Sequence, residues 1–358
     1  LHLGNDGFGG LSQRHFVGLV SMPDGRYMLL IDGKRLMSAM TNVTILDGGL
    51  SRELTRFGAV LKQPEWSAGA LMHHPDAVKR AHQAFFDAGS MIATTASYAV
   101  VPFHIGQDVF EAQGVALAAL SGKLAQEAAE TARANGRDAQ VAGSLPPACG
   151  SYVPDRFDAD EATQILGVLV EGLTPHVDFW LAETMSSLQE IQTTAQACAG
   201  TGKPLWIACS LRDDRLDTAP MLRSEEPVEA AVRLAVEVGA EALLFNCSLP
   251  EVMERAVIAA RETLAEIGTE MRLGVYANGF APKPREGAAN EVLATIRQDL
   301  DPPAYLTWAQ TWVDAGATLI GGCCGIGSSH IAELHAHFCA PSMGSAKADS
   351  VTVTRQVI

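Results

Sequence analysis

The sequence predicts an α/β fold, a (β/α)8 or TIM barrel, and three observations carry that prediction. From residue 43 onward, short β-branched or apolar runs alternate with longer helical patterns. Eight such pairs fit into about 300 residues, the number a closed barrel needs. Polar and sulfur-bearing residues collect where the strand runs end, and the strand interiors are apolar. A doubly wound open sheet is the alternative. That fold usually carries a Gly-rich phosphate turn after its first strand, and Asp47-Gly48-Gly49-Leu50-Ser51 is not G-x-G-x-x-G.

The predicted strands are 43–49, 91–97, 139–145, 177–184, 205–211, 242–247, 272–277 and 318–323. Helical patterns follow at 74–88, 108–135, 160–174, 187–199, 227–238, 250–267, 303–315 and 328–338. Pro227 and Pro250 suit a first helical turn, and Gly89, Gly136, Gly239, Gly268 and Gly316 suit a stop. Barrel function sits at the C-terminal strand ends. There the chain places Asp47-Gly48-Gly49, Thr95-Ala96-Ser97-Tyr98, Ser144, Glu183-Thr184, Cys209-Ser210, Asn246-Cys247-Ser248, Tyr276-Ala277-Asn278-Gly279 and Gly321-Gly322-Cys323-Cys324-Gly325.

The 358 residues are 47% apolar and 19% charged, enough for a large core and too apolar for global disorder. With 26 basic and 41 acidic residues the net charge is −15, and no basic run interrupts it. Such a chain is a poor partner for nucleic acid or anionic membrane, while cationic small molecules stay compatible. No apolar window of about 18 residues predicts a membrane span, and Leu1–Gly10 does not read as a signal peptide. Seven scattered cysteines argue for reduced thiols and a cytoplasmic setting rather than a disulfide scaffold. The oligomeric state is left open. Residues 1–41, rich in glycine, are expected to be an N-terminal extension, with Met40 as the natural start or residues 1–39 as a loose appendage. A hairpin around Asp24-Gly25 is the competing reading. The barrel is assigned to 42–340, and 341–358 to a small polar tail.

The cysteines carry the sharpest signal. Cys247 ends the sixth strand, and Cys323 and Cys324 end the eighth; in a closed barrel both strands flank the seventh. Adjacent residues in a regular strand face opposite ways, so the pair can share one ion only if the chain turns sharply, which Gly321, Gly322 and Gly325 permit. Three converging thiolates with one open position describe a reactive metal site, and soft sulfur favours zinc or copper(I). Burial as small apolar residues and a strained Cys323–Cys324 disulfide are the competing readings. An open tri-thiolate zinc would bind a fourth thiol as thiolate and activate it for alkylation.

With these elements the chain resembles the homocysteine S-methyltransferase family, over about residues 42–340. The Gly-Gly-Cys-Cys-Gly run with an upstream Asn-Cys is the specific part of the match; Asp47-Gly48-Gly49, Thr95–Tyr98 and Glu183-Thr184 add to it. The resemblance implies Zn2+ on Cys247, Cys323 and Cys324 and homocysteine sulfur at the fourth position, methylated to methionine. It further implies that Asp47 and Glu183 hold the substrate ammonium and that the Gly48 and Gly49 amides take its carboxylate. Without the resemblance, Asp47 reads equally as a turn residue and Glu183 as a helix-start acid. The methyl donor is expected to be a small cation, S-methylmethionine first, with S-adenosylmethionine or betaine as alternatives. Tyr98 and Tyr276 are the expected aromatic faces for it, against ordinary rim packing. Tyr276-Ala277-Asn278-Gly279-Phe280 departs from the family's usual Tyr-Pro-Asn turn. The competing functions are a zinc-binding or thiol-sensing barrel without transferase activity, and a zinc lyase or hydrolase.

Overall fold

Eight parallel strands, each feeding a helix that returns along the outside, build the larger of two units into which the chain divides, Val43–Ile358. The computed structural model describes residues 17–21, 27–31, 34–36, 43–281 and 297–339. The smaller unit, Leu1–Asn42, holds an antiparallel sheet of β1 (Val17–Ser21), β2 (Tyr27–Ile31) and β3 (Lys34–Leu36). Ser21 pairs with Tyr27 and Val17 with Ile31, so the hairpin reading describes this stretch; its tip and the tail 341–358 lie outside the described residues.

The barrel strands are β4 (Thr44–Ile45), β5 (Ile92–Thr94), β6 (Gln140–Leu145), β7 (Phe179–Met185), β8 (Leu205–Ser210), β9 (Ala242–Asn246), β10 (Arg272–Ala277) and β11 (Leu319–Gly322). Each pairs in parallel with its sequence neighbour from β5 to β11, and β11 then pairs with β4. Between β4 and β5 the Met91 N–H donates to the Ile45 carbonyl at 2.7 Å, nearly closing the ring. All eight predicted strands are present. The first is shorter than predicted because the register slips at Asp47, whose carbonyl accepts from the Gly322 amide at 3.0 Å, and Gly48 and Gly49 follow as lining of the site.

The eight predicted helices appear as α3 (Pro75–Asp87), α5 (Gln107–Ala134), α6 (Ala159–Leu173), α7 (Leu188–Cys198), α8 (Val228–Glu237), α9 (Pro250–Ile267), α10 (Pro302–Ala315) and α11 (Ser328–Phe338). Their starts are chemically marked: the Asp158 carboxylate accepts from the Asp160 and Glu161 amides, Ser187 from Glu190, and Asp301 from Ala304. Gly268, at φ 68°, ends α9 in the left-handed conformation that favours glycine. Three further helices, α1 (Leu50–Arg56), α2 (Trp66–His73) and α4 (Pro102–Ile105), were not predicted, being too short to show a period. Pro227 caps α8 rather than opening its first turn.

Strand alternation sorts the core into two layers. Phe179, Leu181, Trp206 and Leu244 fill the barrel, while Trp180, Ile207, Phe245 and Trp312 pack in the layer between strands and helices. Each large apolar side chain so buried contributes roughly 1.5–3 kcal/mol. Near the N-terminal ends of their strands, Phe179 and Trp206 stack with centroids 4.1 Å apart, and the Arg272 guanidinium lies 4.5 Å from the Trp206 centroid. A cavity lies on the other side of this plug, toward the C-terminal strand ends. Among the described residues no helix is long and apolar enough to cross a membrane.

Candidate active site

A cavity of about 110 Å³ opens at those strand ends. Its lining includes all nine residues singled out from the sequence: Asp47, Gly48, Gly49, Tyr98, Glu183, Cys247, Tyr276, Cys323 and Cys324. They arrive from six strand tips, which is how a barrel concentrates chemistry that no single segment could supply.

The three cysteine sulfurs lie within 4.8 Å of one another, with Cys247 Sγ and Cys324 Sγ 4.0 Å apart. The edge of a tetrahedron built on 2.3 Å zinc–sulfur bonds is about 3.8 Å, so the set fits such an ion after small side-chain shifts. The required turn is present. Gly325 sits at φ 84°, the Ile326 amide closes onto the Cys323 carbonyl at 3.1 Å, and the loop is tied to β10 through Cys323 N to Ala277 O and Gly279 N to Cys324 O. Cys247 holds a left-handed backbone, φ 49°, which costs a non-glycine residue about 1–3 kcal/mol and is typical of functional positions. Its neighbour holds it there: Asn246 bonds Thr184 twice, Oδ1 accepting from the amide at 3.1 Å and Nδ2 donating to Oγ1 at 2.9 Å.

Three thiols this close cannot all ionise without a cation. Hydrogen bonds from Cys323 and Cys324 hold the Cys247 thiol well below its ordinary value. The same contacts, with burial, push Cys323 well above it. The contacts that favour charge on Cys247 disfavour it on Cys323, so full ionisation of the set calls for a bound cation.

Across the cavity stand the two carboxyls. Asp47 accepts from the Thr94 amide at 2.7 Å and from its hydroxyl at 2.9 Å; burial raises it to about 7 against these bonds. Glu183 accepts from the Ser144 hydroxyl and, at 3.5 Å, from the Tyr276 hydroxyl; burial raises it to about 8, with the nearby Asp47 charge adding to the rise. Two buried acids that repel each other's charge form a receptor for a cation, whose arrival favours ionisation of both.

Both glycines are held at close approach. The Gly49 amide donates to the Ile326 carbonyl at 2.8 Å. What Gly49 supplies is closeness: a Cβ there would lie 2.4 Å from the Cys323 carbonyl oxygen. Gly48 is equally confined, a Cβ meeting the Ile326 carbonyl oxygen at 2.6 Å. Tyr98 donates to or accepts from Ser151 Oγ at 2.6 Å. Tyr276 lies in the barrel interior with its hydroxyl toward Glu183, which makes it a partner of the acid pair. The altered turn after it is self-capped, Asn278 Oδ1 accepting from the Phe280 amide at 3.1 Å.

Trp66 and Tyr152 also line the cavity and were missed. Tyr152 follows the third strand tip by several residues, and carrying the tip reading into the loop would have found it. Trp66 opens α2 with no local signal. Cys209 packs in the outer layer and Cys198 on α7, as core residues.

A family model described as homocysteine S-methyltransferase matches residues 44–338. The chain is 29% identical to bovine betaine–homocysteine S-methyltransferase 1 over 84% of its length and 73% of that protein. It is 28% identical to Escherichia coli homocysteine S-methyltransferase over 82% of its length and 95% of the relative. The metallated crystal form of the E. coli homocysteine methyltransferase MmuM superposes with TM-score 0.66 at 27% identity, covering 82% of this chain and 96% of that one. A family match spanning the whole barrel, on a chain whose strand tips bring three thiols and two carboxyls together, establishes that this protein belongs to the homocysteine S-methyltransferase family.

Proposed function

We propose that the chain moves a methyl group from a small cationic donor to the sulfur of homocysteine, giving methionine, with zinc held by Cys247, Cys323 and Cys324. One observation carries the reading: three thiols from two separated strand tips share a single cavity with two buried carboxyls. The metallated form described for MmuM supports a metal in this set. Zinc, when bound, supplies the Lewis acidity that keeps an incoming thiol deprotonated at neutral pH, where a free thiol of pKa about 8.5 is mostly protonated.

The chain's own residues do the rest. Asp47 and Glu183 bind the substrate ammonium, which points the sulfur of homocysteine toward the three cysteines. A sulfur lone pair forms the new S–CH3 bond while the donor's C–S or C–N bond breaks, the electron pair leaving with the donor as it becomes neutral. Little proton transfer is needed, so alignment of sulfur, carbon and leaving atom contributes most of the remaining rate. Trp66, Tyr98 and Tyr152 line the cavity and present aromatic surface suited to a sulfonium or quaternary ammonium. S-Methylmethionine is the first donor to try; betaine, named for the bovine relative, and S-adenosylmethionine follow.

The test is metal content after purification without chelator, then methionine formation from homocysteine with each donor in turn. Stoichiometric zinc and turnover with one donor are expected. Zinc without turnover on any donor would instead establish a thiol-binding barrel without transferase activity.

A further inference from the structure

The cavity contains a contact that the transfer step does not use. The Tyr152 hydroxyl donates to Cys247 Sγ at 2.7 Å. Its aim is built into the fold from both ends. Tyr152 and Cys247 both hold left-handed backbones, φ 68° and 49°, which non-glycine residues keep only where their surroundings impose them. Behind the ring, the Arg223 guanidinium carbon lies 4.6 Å from the Tyr152 centroid. Arg223 is fixed in turn by Ser210 Oγ at 2.7 Å and Asp213 Oδ2 at 3.2 Å. Asp213 also accepts from the Leu249 amide at 3.2 Å, two residues beyond Cys247. The hydroxyl, its stacked cation and the cysteine it touches thus belong to one braced assembly.

A loaded site poses a selection problem. A donor able to methylate one thiolate meets four, three from the chain and one from the substrate. Which one reacts depends on the position of the donor carbon and on the charge density of each sulfur. A hydrogen bond withdraws charge from a sulfur lone pair and occupies a direction from which it could attack. Cys247 shares its cavity with the aromatic side chains available to a cationic donor, so it competes with the substrate sulfur from within the same cavity.

We propose that Tyr152 is a positioning residue whose hydroxyl keeps Cys247 a spectator, so that the methyl group goes to the substrate sulfur. This rests on the metal-dependent transfer reading above. In the productive step the substrate sulfur's lone pair forms the S–CH3 bond as the donor's C–S or C–N bond breaks toward the leaving donor. In the side reaction a lone pair of Cys247 Sγ makes the same bond, leaving an S-methyl thioether that no longer carries thiolate charge. Tyr152 keeps its proton in both.

The decisive variant is Tyr152→Phe, which retains the ring on Arg223 and removes only the hydroxyl; far-UV circular dichroism checks its fold. Parent and variant are loaded with cobalt(II) and compared by their thiolate-to-cobalt charge-transfer band. The zinc-loaded proteins are then turned over with homocysteine and the accepted donor, and the peptide containing Cys247 is weighed. Cobalt stoichiometry should not change, while the band moves to lower energy as the sulfur lone pair loses its hydrogen bond. Methyl on Cys247 should accumulate about tenfold more often per turnover, the ratio that one hydrogen bond of ordinary strength sets. An unshifted band together with a Cys247 peptide as clean as the parent's overturns the proposal. A parent that shows no cobalt–thiolate band overturns the metal reading itself, so the two failures are distinct. If Tyr152→Phe does not fold, Arg223→Met, which frees the ring but leaves the hydroxyl, should give the same two changes at smaller size, and their absence counts equally against the proposal.

Discussion

Cys324 is half-exposed and makes its most telling contact with another sulfur, 4.0 Å away on Cys247. Removing it should therefore leave the core intact. Cys324→Ala is expected to lose bound metal and methyl transfer with an unchanged far-UV spectrum; elemental analysis and the methionine assay check it, and full activity in this variant would falsify the metal assignment. Glu183 is a different kind of residue, a buried acid raised to about 8 because water is excluded. Glu183→Gln keeps its shape and removes the charge. It should raise the homocysteine KM by about ten- to a hundredfold, the weight of a charge-assisted bond of about 1.5–3 kcal/mol, with metal retained. The sign of the pH effect follows from the direction of the shifts. Asp47 and Glu183 are raised in the folded chain, to about 7 and about 8, so folding is favoured below the unfolded values and that advantage is lost as pH rises through 7 to 8. An ammonium ligand binds the ionised pair and restores what was lost. Homocysteine should raise the melting temperature more at pH 8.5 than at pH 6, and a flat or reversed trend in a thermal-shift series would remove the pair from the ammonium site.

Elements hold these residues through close approach. The start of α1 presses on the eighth-strand turn so tightly that a methyl at Gly49 would overlap the Cys323 carbonyl oxygen. Gly49→Ala should displace that turn and weaken metal binding by at least about tenfold, as disturbed support around a metal site does; competition with a chromophoric chelator measures it. On α3 the liability is His82, fully buried with neither ring nitrogen partnered among the described residues. Burial lowers it to about 4 from 6.5, so the unfolded chain takes up a proton that the folded chain refuses. Stability is then complete above about pH 6.5 and falls as pH drops toward 4, by up to about 3 kcal/mol. His82→Leu should flatten this acid arm and raise the melting temperature at pH 7; an unchanged acid arm in calorimetry would show that His82 is not its cause. The helices of ten or more residues were legible in the sequence because each has enough turns for a 3.6-residue period and several carry caps. Helix α2 was not, because Trp66–His73 is apolar on most sides and buries against several neighbours at once.

At the scale of the whole molecule, every described strand and helix of the barrel falls between residues 43 and 339. A chain begun at Met40 should fold, bind metal and turn over as the full chain does, with a melting temperature within a few degrees; loss of soluble protein or of metal would assign the first segment a part in the barrel. The sequence by itself determined the strand-and-helix alternation, the crowding of polar residues at strand ends and the sulfur pattern, because periodicity and adjacency are local properties written in consecutive residues. Ring closure decided the rest. Which carboxyl faces which, that Trp66 and Tyr152 share the cavity with Cys247, and that the Gly49 amide donates to the Ile326 carbonyl depend on strands far apart in the chain arriving at one rim, and no local pattern encodes a distance of that kind.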